Sequence, residues 1–436
     1  MMTIAQDLFN SKTFRKIFSS FGIYTGFNFM NQAIPFLLLP FLTRLLSPAD
    51  YGILATFTAM IPVFTIILSL GTTEAVVRGY FDKGKKDFDL SKMIFTGLSI
   101  NTVIFVVVLA GVAGFEFFRG TQGTFFRGAA LLFPIIGFCA VVYSIPSKLF
   151  IVQKKPLQYS CLELSNTLTE VALSICFVAA GFGWFGRAIG ITFANVIFAV
   201  VAIVLLFRMY PVRLSLDLKY VKPFLSYGLP VVCHSLGIVM IAVIDRFFLN
   251  KLIGVSTTGL YSVAYSIASL IGFFVSALSL AWSPFFYEKL GHATEKDKRL
   301  LVKATYIYFL FMIVIAIVFL AVAPLLLKHI IGERFLGASK FLTWLAFVFA
   351  VNGMYTIVAG YIFYSKKTYL LMGIAAVTVI SSICLDYLLI TANGPIGVAQ
   401  ATFISSCLRF ALFWILGNIV YPMPWFSFWK KGPICA

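Results

Sequence analysis

The chain has 436 residues, of which 61% are hydrophobic and only 11% charged, with a mean hydropathy of +0.98. A soluble globular chain carries about 25% charged residues, so most of this one must be solvated by lipid. The net charge of +18 would suit a nucleic-acid partner, but the placement of the charges assigns it to the membrane faces instead.

A membrane-crossing helix needs about 20 apolar residues. Apolar runs between charged or Gly/Pro breaks predict twelve spans, at 19–45, 51–77, 92–113, 127–151, 158–181, 187–207, 223–249, 256–286, 301–326, 339–364, 368–390 and 396–420. The first eighteen residues are polar and basic, with Lys12, Arg15 and Lys16. No short apolar core with a cleavage site follows, so the first span is expected to be retained. With the N-terminus placed in the cytoplasm, the cytoplasmic segments hold 22 Lys and Arg against 8 on the opposite face. The positive-inside rule then puts both termini in the cytoplasm. This asymmetry accounts for most of the positive charge and removes the case for nucleic acid.

The second half of the chain repeats the first. "RLLSPADYG" (44–52) and "KLIGVSTTG" (251–259) each run from a basic residue to a glycine between consecutive spans. "SFG" (20–22) matches "SYG" (226–228), "YSIPSKLFIVQKK" (143–155) matches "YTIVAGYIFYSKK" (355–367), and "GRA" (186–188) matches "GVA" (397–399). The order is kept throughout. The expected fold is an all-α polytopic membrane protein, with an N-terminal six-helix lobe at 1–207, a cytoplasmic linker at 208–223 and a C-terminal six-helix lobe at 224–436. Six spans per repeat give both lobes the same orientation, related by a pseudo-twofold axis along the membrane normal, with substrate expected at the interface between repeats.

Polar residues fall on single faces of these spans. Tyr24, Asn28, Asn31, Gln32 and Pro35 share one face of the first helix, and Ser226, Pro230 and His234 one face of the seventh. The fifth carries Glu163, Asn166, Thr167 and Glu170, the eleventh Ser382 and Asp386, and the twelfth Ser405, Ser406 and Arg409. Serine and threonine faces serve equally well as helix–helix contacts. The amides and carboxylates have more hydrogen-bonding capacity than one neighbour can meet, which points to a water-filled cavity. Counting 1.5 Å per residue puts Glu170 and Arg409 near mid-membrane, about 18 and 20 Å into their helices, where ionisable residues are functional candidates. Glu74 and Arg78, at i and i+4, form a structural ion pair or a ligand site. Lys148 is expected to snorkel to the interface. Asp245 and Arg246 sit near the outer end of the seventh span.

Seven cysteines are scattered without any C-x-x-C, and the three histidines lie apart (His234, His292, His329). Neither a disulfide framework nor a metal site is expected. No nucleophile–base motif or Gly-rich phosphate loop stands out, and no filter-like loop is visible. A transporter is favoured over a membrane enzyme acting on lipid-linked sugars and over a channel.

"FLTRLLSPADYGILATFTAMIPVFTIILSLGTTEAVVRGYFD" (41–82) resembles the first helical hairpin of Wzx-type polysaccharide flippases, which belong to the multidrug/oligosaccharidyl-lipid/polysaccharide exporter superfamily. The six-plus-six organisation and the "QKK" and "SKK" turns extend the likeness over nearly the whole chain. The resemblance implies a two-lobed, MATE-like transporter in a bacterial inner membrane. Its cargo would be a polyprenyl-diphosphate-linked oligosaccharide, such as an O-antigen, capsule or exopolysaccharide repeat, turned to the outer leaflet by alternating access. It also implies a monomer in contact with membrane lipid and polysaccharide polymerase machinery. A basic cavity for the anionic carrier maps onto Arg44 and Arg78 by motif, and onto Arg246 and Arg409 by depth. Asn28, Asn31, Gln32 and His234 complete the expected substrate cavity. Glu163, Glu170 and Asp386 are the candidates for coupling to H+ or Na+, with no other cofactor expected. Multidrug members often carry an acidic residue in the first helix, where amides stand here. A peptidoglycan-precursor flippase and a cation-coupled multidrug exporter are the alternatives within the fold.

Overall fold

Inside a bilayer, backbone N–H and C=O groups find no water, so long apolar runs must satisfy them internally as helices. The computed structural model describes residues 12–81, 88–119, 128–210, 216–292, 294–365, 367 and 369–425, and every regular element among them is helical. In chain order these are α1 (Lys12–Leu45), α2 (Pro48–Ser69), α3 (Thr72–Tyr80), α4 (Leu90–Arg119), α5 (Leu132–Val152), α6 (Pro156–Phe177) and α7 (Gly183–Met209). They continue as α8 (Val221–Leu252), α9 (Val255–Ala268), α10 (Leu270–His292), α11 (Glu295–Ile330), α12 (Ser339–Tyr364), α13 (Tyr369–Asn393) and α14 (Ile396–Val420).

Nine stretches of the described residues are long and apolar enough to cross a membrane. One of them, Pro156–Met209, holds two crossings, because α6 folds back on α7 through the five-residue turn Val178–Phe182. The 34-residue α1 and the 32-residue α8 supply the length of two more. The protein is an all-α polytopic membrane protein.

Two predicted spans are interrupted. The second breaks at Leu70 and Gly71, both with left-handed backbone (φ 43 and 71). The break is stabilised by the Thr72 hydroxyl, which donates to the Ser69 carbonyl at 2.7 Å. It lets backbones touch, since a Cβ on Gly71 would lie 2.1 Å from the Gly228 Cα. The eighth breaks between α9 and α10 at Ser269, whose hydroxyl donates to the Ser266 carbonyl at 2.7 Å. Serine hydroxyls that bond back to the preceding turn loosen helices in this way.

The Cα positions cluster into two compact units, one of residues 1–46 and 53–236, the other of 47–52 and 237–436. The first holds three apolar clusters, centred on Leu149 and Phe224, on Val142 and Ala202, and on Phe57 and Phe133. The second holds one larger cluster rich in aromatics, in which Phe286 packs edge-on against Tyr361 at 4.9 Å and Trp414 against Trp425 at 5.1 Å.

Candidate functional site

In the N-terminal unit the three carboxylates Glu74, Glu163 and Glu170 are each held by a specific partner. Lys148 donates to Glu74 at 2.6 Å. Arg78 stands exposed in the last turn of α3. Glu163 accepts from the Ser147 hydroxyl at 2.5 Å. Glu170 accepts from Arg187 Nη2 at 2.7 Å, and Arg187 Nη1 donates to Ser174 Oγ at 2.5 Å. Arg44 is exposed at the end of α1. Asn31 is partly buried, with its side-chain oxygen unpartnered. Asn28, Gln32 and His234 lie on α1 and α8, but their side chains fall outside the described residues.

The C-terminal unit encloses a cavity of about 320 Å³ between α8, α9, α10, α12 and α14. Its polar wall is made by Asp245, Tyr265, Asn352, Tyr355, Thr402 and Arg409. The Arg409 guanidinium lies 4.6 Å from the centre of the Tyr355 ring and donates through Nη2 to Asn352 Oδ1. Arg246 repeats the arrangement, 5.4 Å from the centre of the Tyr265 ring, with Nη1 donating to the Ala242 carbonyl at 2.8 Å. Each arginine has a neutral hydrogen-bond partner and an aromatic face, and the Nε of each has no hydrogen-bond partner. An aromatic face holds a guanidinium without neutralising it, and the Nε of each is an unused donor. Glu170, the one carboxylate expected at the depth of Arg409, belongs to Arg187 and to the other unit.

A second feature borders the cavity. Asp245 Oδ2 accepts from the Tyr261 hydroxyl at 2.7 Å and from Thr402 Oγ1 at 3.0 Å. Asp386 accepts from Ser382 at 3.5 Å and lies within hydrogen-bonding reach of Asp245. Both carboxyl groups are buried, and the Oδ1 of each is unpartnered. Among the described residues no group of three His, Cys, Asp or Glu could hold a metal, so this pair with its hydroxyls is the acidic centre of the unit.

The sequence singles out Arg246, Arg409 and Asp386 but not Asn352, Tyr355 and Thr356 on α12, nor the meeting of Asp245 with Asp386. Both signals were available. The polar trio is spaced i, i+3, i+4 in the apolar middle of α12. The two aspartates each stand seven residues before the end of a helix, Leu252 for α8 and Asn393 for α13.

This is the architecture of a membrane transporter: an all-helical chain with a charged, aromatic-lined cavity buried among its spans. Residues 17–289 match the model of the family described as polysaccharide biosynthesis protein, and residues 230–388 that of the MatE family. The chain belongs to the polysaccharide biosynthesis protein family. It is 25% identical over 366 residues to the Lsg locus putative protein 1 of Haemophilus influenzae, covering 82% of this chain and 87% of that one. Its fold is similar to an inward-facing multidrug resistance MATE family transporter of the MOP superfamily, at a TM-score of 0.60 and 14% identity over 89% of this chain and 95% of that one. It is also similar to the lipid II flippase MurJ in an inward closed conformation, at 0.59 and 15% over 90% and 87%. These families and folds are transporters and flippases, not enzymes.

Proposed function

We propose that the protein flips a polyprenyl-diphosphate-linked oligosaccharide from the cytoplasmic to the outer leaflet of a bacterial inner membrane by alternating access. One observation carries the reading: Arg409 and Arg246 are held in the membrane on tyrosine rings, each with an unpartnered Nε donor. Holding an arginine at mid-membrane costs about 2.5–3.5 kcal/mol on insertion scales, and an anionic cargo offsets that cost. A diphosphate cannot enter hydrocarbon bare, and guanidinium forks neutralise phosphate with paired hydrogen bonds. A cavity of about 320 Å³ suits the diphosphate and its first sugar rather than a whole oligosaccharide. Tyr265, Tyr355 and Asn352 offer the aromatic faces and amide that sugars favour.

The Asp245–Asp386 pair supports coupling to H+ or Na+. Two buried carboxyl groups in contact, each with a spare oxygen, need a proton or a small cation between them. Glu163 and Glu170 already have structural partners, so we move the coupling role from them to this pair.

The test is transport of a fluorescent polyprenyl-diphosphate oligosaccharide in proteoliposomes. Arg409→Ala should lower flipping at least tenfold while Tm stays near that of the unmodified protein. Lys at this position should restore only part, because it lacks the fork. Asp386→Asn should leave cargo binding intact and abolish gradient-driven flux. Normal flipping by Arg409→Ala would overturn the cargo assignment.

A further inference from the structure

The N-terminal unit carries a second concavity for which the transport reading has no use. It is a groove of about 570 Å³ between the end of α5 at Phe150, the first half of α6 from Lys155 to Ser165, and the C-terminal half of α7 from Phe198 to Met209. Its floor is apolar, with Phe150, Leu162 and Phe198 buried. From Lys155 to Ser165 it runs about 15 Å along α6, half of the roughly 30 Å hydrocarbon core. The groove therefore has the depth of one leaflet.

Its mouth is basic. Lys154, Lys155 and Arg208 are exposed at that end, and the first turn of α6 has no acidic residue. The turn that presents them is unusual. The Lys155 N–H donates to the Phe150 carbonyl at 2.9 Å and the Lys154 N–H to the Ile151 carbonyl at 3.0 Å. This is the Schellman pattern, whose left-handed residue is usually glycine. Here that residue is Lys154, at φ 56. A side chain kept where glycine would be unstrained points to a use for that side chain.

We propose that this groove holds one acyl chain of an anionic phospholipid, with the headgroup phosphate against Lys154 and Lys155. Basic pockets between transmembrane helices recognise anionic headgroups by this combination of apolar slot and cationic rim. The depth of one leaflet matches a glycerophospholipid chain, whereas a polyprenyl tail is longer than a leaflet. The site stands independently of the cargo assignment.

The experiment uses the full chain, delipidated in detergent and titrated with phosphatidylglycerol or phosphatidylethanolamine under native mass spectrometry. One phosphatidylglycerol should be retained per chain, at least tenfold more tightly than phosphatidylethanolamine. Lys155→Gln and Lys154→Gly should each weaken that retention several-fold. Lys154→Gly should also hold or raise Tm, because glycine relieves the left-handed strain, which separates a lipid role from a structural one. Ser165→Phe, which fills the slot, should remove both lipids. Equal retention of the two lipids, or lysine variants that retain phosphatidylglycerol undiminished, would overturn the proposal. So would displacement of the lipid by an equimolar polyprenyl diphosphate, which would make the groove a carrier-tail site.

Discussion

Arg187 fastens α7 to α6 with its whole guanidinium. Nη2 meets Glu170 Oε1 at 2.7 Å, and Nη1 meets Ser174 Oγ at 2.5 Å and the Glu170 carbonyl at 3.5 Å. The two side chains are 11% and 27% exposed, so water screens the pair little. Removing one partner of such a pair leaves an uncompensated charge, a loss of about 3–5 kcal/mol in buried cases. Arg187→Ala should therefore lower stability by roughly 3 kcal/mol, measured as a fall in Tm in detergent. Glu170→Gln leaves the Arg187 charge unpaired but keeps an acceptor for it beside Ser174 and the residue-170 carbonyl, so it should cost less than Arg187→Ala, and gradient-driven flux should survive it. A Glu170→Gln variant that folds normally but loses gradient-driven flux would return the coupling role to α6. Arg187 is the residue that the sequence concealed: its charge counted towards one membrane face, and nothing in the run "GWFGRAIG" (183–190) reveals a partner seventeen residues earlier on an antiparallel helix.

Between α2 and α9 the contact is backbone on backbone. A Cβ added to Gly52 would lie 2.0 Å from the Val255 carbonyl oxygen, and one on Gly259 would lie 2.0 Å from that of Pro48. Close crossings of this kind are how membrane helices gain packing when the hydrophobic effect gives no preference. Gly52→Ala must push the first turn of α2 away from α9, and overpacking of this kind costs about 1–3 kcal/mol. Gly111→Ala, with nothing within 4 Å of its added Cβ, should leave Tm unchanged. Equal Tm for the two variants would mean that the crossing can relax without loss. The repeat of "RLLSPADYG" in "KLIGVSTTG" had already made Gly52 and Gly259 equivalent, but equivalence does not say that they touch. Helix existence was legible because lipid demands long apolar runs. The interruptions at Leu70–Gly71 and Ser269 were not, because a leucine in left-handed backbone carries no signal of its own. The cavity was half legible: Arg409 and Asp386 stand out as charges in hydrocarbon, while Asn352 and Tyr355 matter only through the arginine that rests on them.

For the molecule as a whole, the basic residues predict an orientation. With the N-terminus inside, 22 Lys and Arg lie on the cytoplasmic side and 8 on the other, and loops rich in Lys and Arg resist translocation. The lysine pair at Lys154 and Lys155, exposed after α5, belongs to the richer set, as do Lys83, Lys85 and Lys86 in the connection between α3 and α4. The opposite set includes Arg119 and Arg127, either side of the connection between α4 and α5. Residues 82–87 and 120–127 lie outside the described residues, so the prediction rests on charge alone and is tested by access. In a chain whose seven cysteines are replaced by serine, a single cysteine at Gly120 should react with a membrane-impermeant maleimide in intact cells. One at Gly84 should react only after the cells are opened. The reverse pattern would turn the molecule over. The cargo would then be carried by a transporter whose basic face looks outward, and the direction assigned to flipping would have to be reversed with it.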